Sequence, residues 1–317
     1  MLQSTSLNLI GNTNCPGTDI DRVSLPGDYI GSYRRLYRVH LPPNYLRKKN
    51  VPLVMVLHGC RQTHEDIQQI SGFNAVADRH GFAVVYPFVT HYGDLRNENC
   101  WGWWRPQHVK AGSGEVQDLA QMVAQVCDEF PINRYRVYIA GLSSGAGMTV
   151  AALTVHRHLF AGGASIAGVA YSETPRAAIP LPFTTRRRYR PTEKIIANMR
   201  SARGNDPSLP ALMIIHSHND QTVPIEAAQR LRDSWLGYLY PGHNTSGRCL
   251  DSNTIGDTQW MHMRYGRPFR RSKVETVFLY GPGHGWYGGN PGRYSFPDAP
   301  NTSEMIWRFL RRHRLNG

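Results

Sequence analysis

Short runs of consecutive apolar residues recur along the chain, and most of them end at a glycine or a proline. Val51–Gly59, Gly81–Pro87 and Arg136–Gly141 are the first three runs of this kind. A strand that helices cover on both faces has no polar side, so its sequence is apolar at nearly every position. Three later runs have the same character: Gly162–Ile166, Ala211–Ser217 and Val274–Gly281. Together, these runs predict the buried strands of one parallel sheet.

The segments between these runs favour helices. Asp66–His80 and Val116–Phe130 are predicted to be helical, and a further helix, rich in small residues, begins at Ala146. Leu36–Leu41, where apolar and polar residues alternate, predicts one more strand, which ends at Pro42. Strands separated by helices of this length form a mostly parallel central sheet with helices on both faces, which is the α/β class.

Two long irregular segments interrupt this alternation. Asn97–Gly114 contains three of the tryptophans, and Tyr171–Arg190 is rich in proline and arginine. Long loops in a compact domain commonly bind ligands or cover a site. No change of composition and no repeat marks a boundary, so we predict a single catalytic domain over residues 1–317, in which residues 1–30 form an N-terminal extension without an assigned element.

The composition is that of a folded and strongly basic protein. Hydrophobic residues make up 41% of the chain, charged residues 19%, and the formal net charge is +13. Such a charge favours anionic partners or substrates, but the basic runs lack interleaved aromatic residues, so no nucleic-acid binding is predicted. No stretch approaches the roughly 18 apolar residues of a membrane span, and Met1–Cys15 shows no signal-peptide pattern.

One turn motif carries the candidate chemistry. Gly141-Leu142-Ser143-Ser144-Gly145 has the form G-x-S-x-G and continues a predicted strand into a predicted helix. The two glycines allow a tight turn, which lifts the Ser143 hydroxyl above the sheet and directs the Ser144 N–H toward an oxyanion. We therefore predict Ser143 as a nucleophile. The alternative is a glycine-rich turn that only packs a helix on a strand.

A serine hydroxyl needs a base, and the base needs an orienting carboxylate. Asp220 follows the strand Ala211–Ser217, and His284 follows the strand Val274–Gly281. Both residues therefore lie where parallel strands present their carboxyl ends, in the chain order Ser, Asp, His that accompanies such a turn. We predict Asp220 as the acid and His284 as the general base. The alternatives are a helix-capping Asp220 and a turn histidine packed by Trp286.

The second oxyanion donor is expected in the loop that follows the strand Val51–Gly59. Gly59 lets the backbone turn so that the N–H of Cys60, or that of Arg61 beside it, faces the reacting carbonyl together with Ser144. The alternative is a strand-ending glycine without a catalytic role.

Metal binding is not predicted. His216, His218 and Asp220 alternate along an extended segment and so share a face, but no further cluster completes a site with sensible spacing. The five cysteines form no paired CxxC pattern, which leaves disulfides or buried thiols. An odd count leaves at least one thiol unpaired in a monomer.

Several of these segments, taken together and in order, resemble one known family. They are HGC followed by Gln62, NCWGWW at Asn99–Trp104, RVYIAGLSSGAGM, HSHNDQTVP and GPGHGWYGG. They resemble the poly(3-hydroxybutyrate) depolymerase and feruloyl esterase-like family of α/β-hydrolases, from about Arg35 to Leu310. The resemblance implies the α/β-hydrolase fold and a serine carboxylic ester hydrolase that needs no cofactor. The polar stretch Pro241–Gln259 has no counterpart in it.

The resemblance also implies features of the site. A disulfide between Cys60 and Cys100 would tie the loop after the strand Val51–Gly59, the oxyanion loop, to the segment Asn97–Gly114, the tryptophan-rich loop. It would also place the protein in an oxidising compartment, extracellular or periplasmic. Trp101, Trp103, Trp104 and Trp286 could form an aromatic wall for an acyl or polyester chain, because binding sites combine apolar walls with few polar groups. Of these, Trp104 and Trp286 are the candidate substrate-binding residues. Packing of half or more of these tryptophans in the core is the alternative. The basic segment Thr184–Arg190 either selects a carboxylate-bearing substrate or is solvated.

We therefore predict hydrolysis of short-chain polyhydroxyalkanoate esters of the poly(3-hydroxybutyrate) type through an acyl-enzyme. The alternative within enzymes is a feruloyl or acetylxylan esterase that acts on plant polysaccharide esters. From another class, the alternative is a catalytically silent α/β-hydrolase that binds polyanions. The predicted partner is a polyester or a small ester, and the sequence sets no oligomeric state.

Overall fold

A ten-stranded mixed sheet forms the centre of the protein. The computed structural model describes residues 16–45, 50–89, 98–178, 187–204, 206–243, 245–266 and 271–316. The strands of the sheet are β1 (Thr18–Ser24), β2 (Arg35–Leu41), β3 (Val51–Leu57), β4 (Ala83–Pro87), β5 (Ile132–Leu142), β6 (Gly162–Ile166), β7 (Ala211–Ser217), β8 (Gly247–Ile255), β9 (Thr258–Tyr265) and β10 (Val274–Tyr280). A separate parallel pair is formed by β11 (Trp286–Tyr287) and β12 (Ser295–Phe296).

The strand order explains why the central runs are apolar throughout. Across the sheet the order is β1-β2-β4-β3-β5-β6-β7-β10-β9-β8. The strands from β4 to β10 in this order are parallel to one another, and β1, β2, β8 and β9 are added in antiparallel fashion at the two sides. β3, β4, β6 and β7 are buried along their whole length. The predicted mostly parallel sheet is therefore confirmed.

Helices cover both faces of this sheet. They are α1 (His64–Ser71), α2 (Phe73–His80), α3 (Gly114–Glu129), α4 (Ser144–Val155), α5 (Pro175–Ala178), α6 (Thr192–Arg203), α7 (Ile225–Leu239) and α8 (Thr302–Leu310). α1, α2 and α8 contribute Ile67, Phe73 and Ile306 to the core on one face. α3, α4, α6 and α7 contribute their apolar residues to the core on the other face. Among the described helices, none is long and apolar enough to cross a bilayer.

The single helix predicted for Asp66–His80 is divided in two. Gly72 has a φ of 61° and separates α1 from α2. This left-handed conformation favours glycine and ends a helix. At the other end of α1, the side chains and backbones of Thr63 and Asp66 cap each other: Thr63 Oγ1 accepts from the Asp66 N–H at 3.1 Å, and Asp66 Oδ2 accepts from the Thr63 N–H at 2.7 Å.

Antiparallel strands occur in two places where the sequence predicted none. Thr18–Ser24 pairs with β2, so the expectation of an N-terminal extension without regular structure is wrong for these residues; Met1–Cys15 lies outside the described residues. The polar stretch Pro241–Gln259 contains β8, which pairs with β9 and is exposed at every position. Between Cys249 and Asp251, β8 carries one residue more than β9, which is a β-bulge.

Candidate active site

Ser143 occupies the turn between β5 and α4. Its φ of 57° and ψ of −115° are a combination that residues with a side chain rarely adopt. The Ser143 N–H donates to the Ile166 carbonyl at 2.9 Å. A Cβ atom on Gly141 would lie 2.4 Å from the Gly145 carbonyl oxygen, so the turn requires glycine there. The geometry is that of the strained strand-to-helix turn that presents a nucleophile above a sheet.

Asp220 and His284 lie side by side at the ends of two neighbouring strands. His284 Nδ1–H donates to Asp220 Oδ2 at 2.7 Å. Asp220 Oδ1 accepts from the N–H groups of Thr222 and Val223, each at 2.8 Å. Because Asp220 is only 3% exposed, these hydrogen bonds offset the cost of burying its charge. The arrangement fixes the His284 ring and leaves its Nε2 as the acceptor for a proton.

Ser143 and His284 are not joined by a hydrogen bond in this structure. Both residues are described, and the only hydrogen bond of the His284 side chain among the described residues goes to Asp220. The hydrogen bond between Asp220 and His284 is thus formed, whereas that between Ser143 and His284 is not. Such contacts are often long in unliganded enzymes and tighten in the complex with substrate.

His216 supports the loop that carries Asp220. Its Nε2–H donates to the Val223 carbonyl at 2.7 Å and lies 3.5 Å from Asp220 Oδ2. Burial lowers the pKa of His216, which keeps the ring neutral. His218 instead stacks on Tyr280, with ring centroids 4.1 Å apart. In the described part of the chain, no group of three or more His, Cys, Asp or Glu side chains could hold a metal ion.

The loop after β3 lies against the Ser143 turn. A Cβ atom on Gly59 would be 3.4 Å from Ser143 Cβ. His58 Nδ1–H donates to the Gly59 carbonyl at 2.7 Å, and His58 Nε2 accepts from the Val89 N–H at 3.2 Å. In a planar trans peptide the carbonyl and the next N–H point in opposite directions. The Gly59 carbonyl is directed at the His58 ring, so the Cys60 N–H is directed away from it.

Sequence reasoning did not identify His58 as part of this arrangement. The available signal was a polar residue at the end of an otherwise apolar buried strand. Burial lowers the pKa of His58 to about 4, so the ring stays neutral and keeps one donor and one acceptor.

Cys60 and Cys100 form a disulfide across 40 positions of sequence, which confirms the pairing that the resemblance implied. Arg61 and Glu98 form an ion pair between the same two segments. The oxyanion loop and the tryptophan-rich loop are thus tied together twice. Among the described cysteines, Cys127 and Cys249 are free.

The four tryptophans considered for an aromatic wall differ: Trp101 and Trp286 lie in the core, whereas Trp103 and Trp104 line a cavity. Trp286 has no exposed surface, and its Nε1–H donates to Ser303 Oγ at 3.1 Å. Its prediction as a substrate-binding residue is therefore wrong, because it is covered by the core beneath α1, α2 and α8. Trp101 and Trp103 are also buried. Trp104 is half-buried and lines a cavity, so it stays a candidate.

The basic segment predicted for substrate selection is only partly described, since Thr184–Arg186 lies outside the described residues. Arg187 donates to the carbonyls of Gln221 and Thr222, at 3.0 and 3.1 Å. Its guanidinium therefore holds the loop that contains Asp220. Arg190 lines the same cavity as Trp104.

Comparison with known proteins places the chain in a family. A sequence model described as Esterase PHB depolymerase matches residues 35–247. Poly(3-hydroxyalkanoate) depolymerase C from Paucimonas lemoignei is 32% identical over 245 residues, which cover 74% of this chain and 55% of that protein. The chain thus spans about half the length of this relative. Feruloyl esterase B from Neurospora crassa is 26% identical over 268 residues, which cover 81% of this chain and 82% of that protein.

A solved structure agrees with the fold. The acetyl xylan esterase from Aspergillus awamori matches with a TM-score of 0.65 at 17% identity, and the match covers 92% of this chain and 99% of the other. At this identity the likeness concerns the fold alone. Since the family model spans more than half of the chain, the protein belongs to the PHB depolymerase esterase family and has the α/β-hydrolase fold.

Proposed function

We propose that the protein hydrolyses short-chain polyhydroxyalkanoate esters of the poly(3-hydroxybutyrate) type, with Ser143, His284 and Asp220 as catalytic residues. The observation that carries the proposal is the 2.7 Å hydrogen bond between His284 and Asp220, at the same edge of the sheet as the strained turn at Ser143.

The reaction is a two-step acyl transfer. The Ser143 Oγ attacks the ester carbonyl while His284 Nε2 takes its proton, and the N–H groups of Ser144 and Cys60 stabilise the oxyanion. His284 then protonates the leaving alcohol, which breaks the ester bond. Water attacks the acyl-enzyme with the same base, releases the acid and restores Ser143. Asp220 stays ionised and orients the imidazole throughout.

The depolymerase relative, at 32% identity, supports a polyester substrate. The feruloyl esterase relative and a probable acetylxylan esterase A from Aspergillus clavatus, 27% identical over 249 residues, support the alternative of a plant polysaccharide ester. The disulfide between Cys60 and Cys100 supports an extracellular or periplasmic site of action, since such bonds persist in oxidising compartments.

The test is hydrolysis of p-nitrophenyl esters from acetate to decanoate, beside methyl ferulate, acetylated xylan and a poly(3-hydroxybutyrate) emulsion. Ser143→Ala is the inactive variant. Ser144→Ala is the matched control, because its backbone N–H is kept. We expect clearing of the emulsion and turnover of short esters, both lost only in Ser143→Ala.

Ferulate or acetate release without clearing would favour the polysaccharide esterase. Activity that survives in Ser143→Ala would refute the assignment of the nucleophile. If no ester is hydrolysed and the protein is retained on heparin, the result would favour a catalytically silent α/β-hydrolase that binds polyanions.

A further inference from the structure

A cavity of about 500 Å³ opens beside α4. Part of its wall is apolar, formed by Trp103, Trp104, Pro106, Val109 and Val155. The rings of Trp103 and Trp104 meet edge to face, with centroids 5.3 Å apart. The cavity is thus lined by a bent aromatic surface that suits an aliphatic chain better than the flat face of a sugar ring.

One wall residue of this cavity, Trp103, packs on the helical turn that follows the candidate nucleophile. The Gly147 N–H donates to the Ser143 carbonyl at 3.0 Å, so Gly147 lies one helical turn from Ser143. A Cβ atom on Gly147 would be 2.7 Å from Trp103 Cγ, which means that Trp103 packs directly on this turn. At the other end, Val155 is the last residue of α4. Gly147 and Val155 are eight residues apart, so at a rise of 1.5 Å per residue they lie roughly 12 Å apart along the helix.

The polar part of the wall carries more positive than negative charge. Lys110 and Arg190 line it, and neither forms an ion pair within the described residues. Arg190 Nε is buried and has no hydrogen-bond partner among them. A buried cationic donor without a partner is costly unless a ligand or water satisfies it.

Glu173 is the one acidic residue of the wall, and its carboxylate holds the backbone at Arg190. Glu173 is 3% exposed, and its Oε1 accepts from the N–H groups of Thr174 and Arg190, at 2.8 and 2.9 Å. Its Oε2 has no partner among the described residues. Burial raises the pKa of Glu173, because desolvation disfavours the charged form of its carboxyl group.

We propose that this cavity binds the free carboxylate end of a hydroxyalkanoate oligomer while an ester bond of the same oligomer lies at Ser143. Lys110 and Arg190 bind the carboxylate, and Trp103 and Trp104 pack against the alkyl part of the chain. This inference rests on the proposed function. It adds that the enzyme recognises the carboxyl end of the substrate oligomer.

Two properties follow. An oligomer with a free carboxyl end binds more tightly than its methyl ester, because the ester removes the charge that meets Lys110 and Arg190. The preference is confined to oligomers long enough to reach from Ser143 along α4, so p-nitrophenyl acetate does not show it. Added salt weakens the preference, since Lys110 is exposed.

The test measures binding in Ser143→Ala, where turnover cannot interfere. The probes are the tetramer of 3-hydroxybutyrate as the free acid and the same tetramer as its methyl ester. The affinity of each is measured by calorimetry. We expect the acid to bind at least five-fold more tightly than the ester. The double substitution Lys110→Gln with Arg190→Gln should abolish this difference, whereas Arg188→Gln, an exposed neighbour outside the cavity wall, should keep it.

Equal affinity for acid and ester, or a difference that survives the double substitution, would overturn the proposal. A preference for xylo-oligosaccharides that carry glucuronic acid over the hydroxybutyrate acid would also overturn it. Turnover of p-nitrophenyl acetate by the unmodified enzyme is measured in parallel. If that turnover is absent while the acid still binds selectively, the proposed ester hydrolysis fails and the carboxylate site stands.

Discussion

His284 Nδ1 and Asp220 Oδ2 lie 2.7 Å apart although 64 positions of sequence separate them. The two residues meet because β7 and β10 are neighbours in the sheet, and each residue follows the carboxyl end of its strand. The remaining carboxylate oxygen of Asp220 is held by two backbone N–H groups. The carboxylate therefore has one orientation, and it sets the tautomer of the imidazole.

Asp220→Asn should reduce kcat by about 10⁴, because an amide cannot keep the imidazole in the tautomer that accepts the Ser143 proton. The measurement is steady-state hydrolysis of p-nitrophenyl butyrate. Asp233→Asn, which changes an exposed residue of α7, is the matched control and should leave kcat unchanged. A loss smaller than ten-fold in Asp220→Asn would contradict the role given to this residue.

Replacement of Ser143 should separate strain from catalysis. Both Ser143→Ala and Ser143→Gly remove the nucleophile and should be inactive. Glycine adopts the observed φ of 57° without a Cβ penalty, so Ser143→Gly should be about 1 kcal/mol more stable than Ser143→Ala. Urea unfolding of the two variants measures this difference. Equal stability would show that the turn stores no strain.

Loss of the Cys60–Cys100 disulfide should destabilise the protein. The bond closes a loop of 40 positions, and its removal by Cys60→Ser with Cys100→Ser should lower the free energy of unfolding by about 4 kcal/mol. The activity of the folded variant should also fall, because the oxyanion loop loses a restraint. This loss should exceed the loss expected from the unfolded fraction alone. Cys249→Ser, at an exposed free cysteine, is the control and should change neither quantity.

The two tryptophans predicted to bind substrate should behave differently. Trp286→Ala removes a fully buried ring and should cost about 3–5 kcal/mol of stability. Trp104→Ala should leave most of the stability and raise KM for long substrates, because this ring lines the cavity. Thermal unfolding and KM on 3-hydroxybutyrate oligomers distinguish the two outcomes. A stable Trp286→Ala with a raised KM would show that this ring contacts substrate after all.

Stability should fall as the pH is lowered through the range from about 6.5 to about 4. The native pKa of His58 is lowered to about 4 by burial, whereas the unfolded chain titrates near 6.5, so the unfolded state binds more protons in this range. This one group accounts for up to about 3 kcal/mol. His313 acts in the same direction, with a pKa lowered to about 4.

Urea unfolding at pH 7, 5.5 and 4.5 tests this dependence. His58→Asn keeps a donor for the Gly59 carbonyl and removes the titration, so its free energy of unfolding should vary less with pH. If the free energy of unfolding of His58→Asn varies with pH as steeply as that of the unmodified protein, other groups cause the pH dependence.

The sequence predicted most of what surrounds the candidate site, for identifiable reasons. Gly162–Ile166 and Ala211–Ser217 were predicted with the observed ends, because strands buried on both faces leave a continuous apolar run. The meeting of Asp220 and His284 followed from their places after two such strands. Their catalytic roles remain predictions.

Other features had no local signal in the sequence. Trp286 follows His284 closely, but only the tertiary packing turns its ring into the core. The exposed strand β8 lacks an apolar face, so periodicity did not reveal it. The hydrogen bonds of His58 depend on Val89, whose approach to the β3 loop could not be predicted from spacing.

The open edge of the sheet has a consequence for self-association. β8 presents an exposed row of backbone groups at this edge, and a flat edge of that kind is a template on which other chains aggregate. The bulge between Cys249 and Asp251 breaks the regular spacing of these groups, and Arg248 and Asp251 place charges beside it. The bulge and these charges oppose amyloid-like pairing of further chains at this edge.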